Sequence, residues 1–337
     1  MSGGGLIESP AAGASKVFSR RISFHATKQT PMEPNLQLCR YFLPGSGARL
    51  AAVRAGQVYD LTAGSQASLK TLYAWMQFVA RAGLAQAIEL LHTAVAAAQP
   101  AALWADLLVA PDASRAHLLA PLDEQEVWAA GVTYRRSREA REEEAHNIGV
   151  YDKVYAAERP EIFMKATPQR VVGPHAPVRI RGDSFWNVPE PELTVLFAPD
   201  MQVVGYTVGN DMSSRDIEGA NPLYLPQAKI YTGSCALGPA ITLLPDLDLQ
   251  PGATIGLRIE RAGAAVFTGE TSTREMKRTV SELGGYLGRY NAFPAGVFLM
   301  TGTGLVPPDD FTLQAGDDVQ ITISGIGMLR NQVLDGT

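Results

Sequence analysis

WNVPEPELTVLFAPDMQVVGYTVGND (186–211) holds two apolar runs and three acids whose spacing sets both architecture and chemistry. LTVLF (193–197) and QVVGYTVGN (202–210) are rich in β-branched residues and flank Pro199-Asp200. They read as a hairpin. Glu190 and Glu192 stand two apart ahead of the first run. On an extended chain, residues i and i+2 point to one face, so both carboxylates face the same way. Folding about 199–200 pairs Glu192 with Thr207 and Glu190 with Gly209. Asp211 then falls at the same end of the sheet with matching side-chain parity. Three carboxylates converging in a partly buried place repel. At low effective dielectric they must take up protons, find cations or bind a metal. An all-oxygen set favours a hard ion, Mg²⁺, with Mn²⁺ or Ca²⁺ as alternatives. The other reading is solvated edge carboxylates, or partners for Arg181 and Arg215.

Cations stand nearby in sequence. Lys229 follows in YLPQAKIYTGSCALGP, and Lys165 lies in EIFMKATPQRVVGP with Arg170 just beyond. A lysine beside such a centre can act as a base or hold an anionic substrate. Asp216 reads as structural, paired with Arg215 or a backbone group.

Around this segment, residues 126–337 are strand-rich. EVWAAGV (126–132) reads as a buried strand, and TYRRSREAREEEAHN (133–147) as a charged stretch with i,i+4 pairs such as Arg138–Glu142. TIGLRIER (254–261) and AAVFTG (264–269) form a second hairpin about Ala262-Gly263. A helix carrying Met276, Val280, Leu283 and Leu287 follows, then VFLM (297–300) and VQITISG (319–325). Strand and helix do not alternate as in a doubly wound sheet. The GTG at 302–304 lacks the spacing and the following helix of a dinucleotide site. Upstream, residues 32–125 read as a small α+β domain. CRYFL (39–43), RLAAV (49–53) and QVYDL (57–61) are strands, the last two joined by an Ala55-Gly56 turn. Leu69, Leu72, Met76 and Val79 then mark a helix capped by Ser68, which Gly83 breaks; a second helical run ends at Pro100.

The whole chain of 337 residues is 46% hydrophobic and 19% charged, with a net charge of −5. That composition fits a globular protein. The charge argues against duplex nucleic acid as a partner, and no apolar run is long enough to cross a membrane as a helix. Two cysteines, Cys39 and Cys235, exclude a disulfide framework and point to a reducing, cytoplasmic setting. Residues 1–31 have a local balance of +3 and read as a tail or a start codon placed too early.

Four features in order resemble the fumarylacetoacetate hydrolase superfamily over about the last two thirds of the chain. They are the E-x-E pair leading into a strand, NDMSSRD (210–216), AK followed by an aromatic (228–231), and TGTG (301–304). The resemblance implies an α+β protein with a mixed β-sandwich roll, a divalent metal, usually Mg²⁺, and a homodimer or homotetramer. By motif position it implies Glu190, Glu192 and Asp211 as metal ligands, Lys229 near the substrate and Thr303 against the substrate carboxylate.

Two departures narrow the chemistry. The superfamily's C–C hydrolases carry a histidine three residues after the tyrosine of the first lid segment. Here GVTYRRSREAR places Ser137 there, and His146 is about two and a half helical turns away. Glu161, four residues before Lys165, stands where hydrolases show an apolar residue; it reads either as a general acid or base or as an exposed strand-start glutamate. Both departures, with VYDKVYAAERPEIFMKA and TPQRVVGP, are similar to the branch that dehydrates 2-keto-3-deoxy-pentonates. That resemblance implies acid–base work for Glu161 and sugar-hydroxyl contacts for Ser137 and Arg170. The alternative is hydrolysis of a 2,4-diketo acid, against which Ser137 argues. A β-keto acid decarboxylase is a lesser option, and a non-catalytic metal-stabilised scaffold is the reading from another class.

Overall fold

The computed structural model describes Met1 and residues 36–134, 154–243 and 252–336. By contacts the chain divides into Met1–Glu33 and Pro34–Thr337; the first unit, Met1 aside, lies outside the described residues.

The second unit opens with β1 (Gln37–Leu43), β2 (Gly47–Arg54) and β3 (Gln57–Asp60), an antiparallel meander. Ala55 and Gly56 both take positive φ, as the tight β2–β3 hairpin requires. Two helices follow, α1 (Leu72–Ala82) and α2 (Leu84–Ala97), parted by Gly83 at φ 86°. Thr71, not Ser68, caps α1: its side chain accepts from Ala74 N–H, while Ala67–Leu69 winds into a separate 3₁₀ turn. The hydrophobic period continues through both elements, so periodicity alone misplaced the cap by one turn. Then come β4 (Ala102–Leu103), β5 (His117–Leu119), β6 (Glu126–Gly131), β7 (Glu161–Ala166), β8 (Val171–Val172) and β9 (Val178–Ile180).

Next are β10 (Asn187–Val188), β11 (Pro191–Phe197), β12 (Val203–Asp211) and β13 (Ser213–Ser214), then short helices at Arg215–Ala220 and Leu225–Lys229. β14 (Cys235–Thr242), β15 (Thr254–Arg261), β16 (Ala264–Ser272), a helix at Val280–Leu287, β17 (Val297–Met300), β18 (Asp318–Ile323) and β19 (Gly327–Asp335) complete the unit.

One twelve-stranded mixed sheet runs β4-β3-β2-β1-β14-β12-β11-β17-β6-β7, with β5 on β1 and β8 on β14. A five-stranded sheet runs β16-β15-β18-β19-β9, and β10 pairs with β13 alone. Strand alternation splits the large sheet's core in two. Leu196, Phe298 and Val127 pack with Trp75, Met76 and Leu91 of α1 and α2. Val195, Val208 and Leu299 pack with Ile255, Leu257 and Ile321 of the five-stranded sheet. Helices, large sheet and small sheet thus form three layers. This is the mixed-sheet α+β class read from the sequence, and the N-terminal strands extend the sheet that carries the three acids.

The β11–β12 hairpin forms, but in another register. Glu192 opposes Gly209 rather than Thr207, and Pro191 opposes Asn210. Two local features account for it. Met201 adopts φ 65° in a turn closed by Ala198 N–H to the Gln202 carbonyl, which recentres the turn. A bulge between Leu196 and Phe197 then adds a residue on β12. The two offsets sum to an even shift, so side-chain parity is preserved.

Candidate metal centre

Backbone pairing converges the acids. Glu190 immediately precedes β11, and its carbonyl accepts from Asp211 N–H at 3.0 Å. Glu192 follows on β11, and Asp211 ends β12. Each of the three offers a carboxylate oxygen within 4.8 Å of the others, and all three are buried. With Gly131, Phe163, Gly302 and Thr303 they line a cavity that has room for roughly one water molecule.

Three buried cations face them. Lys229 Nζ lies 2.7 Å from Glu190 Oε2 and 3.1 Å from Asp211 Oδ2, and it also donates to Ser213 Oγ. Lys165 Nζ lies 2.5 Å from Asp211 Oδ1. Arg215 Nη2 donates to Glu190 Oε1 at 2.8 Å, and Glu218 stands 3.9 Å behind its Nε. Glu190 and Asp211 therefore each meet two cations. Glu192 instead accepts the Gly302 N–H at 2.6 Å. Its carboxyl is held well above the usual carboxylate range by burial first, then by the like charges of Asp211 and Glu190, against the smaller opposing pull of Lys229 and the Gly302 hydrogen bond.

Gly302 makes that contact possible. Its φ is +87°, and a Cβ there would overlap Thr133 Oγ1 and come within 2.9 Å of the Ala130 carbonyl oxygen. The donor set fits a hard divalent cation: oxygen ligands only, three carboxylates converged, and a cavity the size of one water beside them. A cation would also resolve the mutual repulsion that keeps Glu192 proton-loving.

Glu161 opens β7 opposite Gly131 and is half-buried. Its carboxylate lies over Gly131, where a Cβ would overlap it; Gly131 lines the cavity and Glu161 itself does not. Thr303 is buried at the cavity, its hydroxyl donating to the Leu305 carbonyl at 3.0 Å. Arg170 is exposed in the turn Pro168–Arg170 and does not line the cavity. Ser137, Arg138, Glu142 and His146 lie outside the described residues. Asp216 accepts from Ser184 Oγ at 2.5 Å and Phe185 N–H at 3.1 Å; it is Glu190 that takes Arg215. The sequence offered Lys165 as a base or an anion holder, not as the buried partner of Asp211, and TGTG as a motif without the Gly302 N–H contact to Glu192. Simple alternation along β7 would put Glu161, Phe163 and Lys165 on one face, which was the available signal. Nothing local in TGTG distinguishes the glycine that feeds Glu192.

Comparison with known proteins places these features in context. A family model described as the fumarylacetoacetate hydrolase C-terminal region matches residues 126–334. A probable 2-keto-3-deoxyxylonate dehydratase of Haloferax volcanii is 45% identical over 286 residues, spanning 85% of this chain and 95% of its own. A 2-dehydro-3-deoxy-D-arabinonate dehydratase of Saccharolobus solfataricus is 46% identical over 217 residues, spanning 63% of this chain and 73% of its own. The fold superposes on a solved 2-keto-3-deoxy-D-arabinonate dehydratase, complexed with magnesium and 2,5-dioxopentanoate, with a TM-score of 0.74. That match is 32% identical and covers 89% of this chain and 99% of the other.

Proposed function

The chain belongs to the fumarylacetoacetate hydrolase family, and from that premise we propose that it is a Mg²⁺-dependent hydro-lyase converting a 2-keto-3-deoxy-pentonate to 2,5-dioxopentanoate. The observation that carries this reading is Glu161, an acid beside the carboxylate-lined cavity that is not one of the three converged ligands. An elimination needs a proton acceptor or donor at the substrate and no activated water. The pentonate dehydratases among the relatives support the same choice.

Glu190, Glu192 and Asp211 would hold the cation. Bound there, it supplies a Lewis acid that favours loss of the C3 proton from a 2-keto acid. Glu161 would take the C3 proton and pass it to the departing 4-hydroxyl, directly or through a water. Its carboxylate over Gly131, a residue that lines the cavity, supports this role. Lys229, held between Glu190 and Asp211, would orient the keto group or assist proton transfer. Thr303 would meet the substrate carboxylate once its hydroxyl turns from Leu305. Ser137 and Arg170 are assigned to the sugar hydroxyls; Arg170, being exposed, must swing inward to serve. Water leaves from C3 and C4, and proton shifts complete the 5-aldehyde.

The catalytic domain in this reading spans 126–337, with 32–125 as its N-terminal companion. Its partner is a small 2-keto acid, its setting the cytoplasm, and its assembly a homodimer or homotetramer. The test is incubation with Mg²⁺ and racemic 2-keto-3-deoxy-pentonate, in parallel with an acylpyruvate, followed by mass spectrometry. Loss of one water with 2,5-dioxopentanoate appearing supports the dehydratase. Pyruvate from the acylpyruvate, with the sugar acid untouched, replaces it with the hydrolase.

A further inference from the structure

Lys165 lies in the interior with no exposed surface, on β7. Its ammonium meets three acceptors. Asp211 Oδ1 is 2.5 Å away, the Met212 carbonyl oxygen 3.0 Å and the Lys229 carbonyl oxygen 2.5 Å. Two of its three protons go to the backbone carbonyls, and its charge faces Asp211 as an ion pair. Those acceptors belong to three parts of the centre: the acid that ends β12, the residue after it, and the backbone of the lysine that bridges Glu190 and Asp211.

β7 needs such a tie. Among the described residues it is the last strand of the large sheet, bonded to β6 on one side. A terminal strand has half the ladder bonds of a central one. Glu161 begins this strand, and Lys165, four residues on, is the residue a bulge leaves unpaired against β6, with its ammonium on Asp211. Where Lys165 is pinned, the strand that carries Glu161 is pinned with it.

We propose that Lys165 is a positioning residue that fixes Asp211 and Lys229 in their working geometry and locks the Glu161 strand onto the metal centre. This rests on the assignment of the three acids as metal ligands. Lys165 does not touch substrate; it acts through Asp211, Lys229 and Glu161. Its ammonium also balances Asp211 from behind, on Oδ1, while Lys229 takes Oδ2. Removing it leaves a buried acid short of a partner and frees two carbonyls.

The experiment uses the full-length chain stripped of metal, as parent, K165M and K165Q, with Mn²⁺ titrated by electron paramagnetic resonance and turnover measured at saturating Mg²⁺. Mn²⁺ serves as the probe because its binding needs no assumption about substrate. Outer-shell partners of a metal ligand are worth about 10–100-fold in affinity. K165M is expected to keep the parent's circular dichroism, to bind Mn²⁺ at least tenfold more weakly, and to lose kcat at saturating metal with KM little changed. K165Q, which can still donate to the carbonyls, is expected to recover part of the affinity. A merely space-filling lysine would give methionine the parent's affinity and kcat, and that result overturns the proposal. If K165M does not fold, K165Q carries the test; failure of both to fold overturns it in favour of a purely structural role. A parent that binds no Mn²⁺ refutes the metal-ligand assignment itself, a different result from a parent and K165M that bind alike.

Discussion

Gly302→Ala puts one methyl where the centre has no room. The backbone there sits at φ +87°, which costs an L-residue about 1–2 kcal/mol. The added Cβ overlaps Thr133 Oγ1, so that side chain must rotate away. Doing so breaks its 2.6 Å hydrogen bond to the Thr301 carbonyl, a buried acceptor that then loses a partner at about 1–3 kcal/mol. The Ala130 carbonyl oxygen, 2.9 Å from the new methyl, is backbone and yields less readily. Together these give a loss of about 2–5 kcal/mol, a large share of the roughly 5–15 kcal/mol that holds a typical protein folded. The Gly302 N–H that serves Glu192 is displaced with it, so metal affinity should fall too. Urea denaturation in EDTA and Mn²⁺ titration measure the two losses. Adding Thr133→Ala should restore part of the stability by removing the overlapping oxygen, leaving the backbone strain in place. A G302A protein within about 0.5 kcal/mol of the parent, the spread usual for neutral substitutions, would refute the argument that the turn requires glycine.

Glu161→Gln should abolish turnover and leave Mn²⁺ affinity unchanged, since Glu161 is not among the converged carboxylates; full activity in that variant removes it from the mechanism. Glu192 supplies a pH dependence. Its folded-state affinity for a proton is raised, so over the window above the ordinary carboxylate range the metal-free folded chain binds a proton that the unfolded chain does not. Stability in EDTA should therefore fall as pH rises through that window, and E192Q should lack this component. Mg²⁺, whose uptake displaces the proton, should flatten the slope; an E192Q profile parallel to the parent's in EDTA would contradict the raised affinity. Burial pushes the thiols of Cys39 and Cys235 up to about 12, so neither should react with Ellman's reagent in the native protein, and both should after denaturation.

How far the sequence reached depended on the range of each interaction. The Ala55-Gly56 and Ala262-Gly263 turns are local chemistry, and both hairpins form as read. Parity along β11 and β12 survives any even slip, so the convergence of Glu190, Glu192 and Asp211 was legible although the register was not. The bulge at Leu196/Phe197 leaves no mark in the apolar run LTVLF. The joining of β1 to β14, Gln37 opposite Thr242, spans some two hundred residues and has no local signal. The same holds for the ion pair of Lys165 with Asp211 and for the Gly302 N–H on Glu192. These are tertiary contacts between segments that read separately as an edge strand and a turn.

The charges of the centre tell what it is built to receive. Burying ionic groups is seldom the cheapest route to stability, since apolar residues of similar size serve as well or better. Here Lys165, Lys229 and Arg215 oppose Glu190, Glu192 and Asp211, all nearly inaccessible, with Glu218 behind Arg215. Counted as ionised, the three pairs cancel, and Glu218 with Glu161 beside the cavity brings the group to two negative charges. One divalent cation cancels them. The loaded centre therefore admits an anion that the metal-free centre repels, and at low dielectric that difference is large. A carboxylate-bearing 2-keto acid meets this requirement, and a neutral sugar does not. Binding in the order metal first, then substrate, follows from the electrostatics: calorimetric titration of the pyruvate anion should show uptake with Mg²⁺ present and none in EDTA, and equal uptake in both would sink the argument.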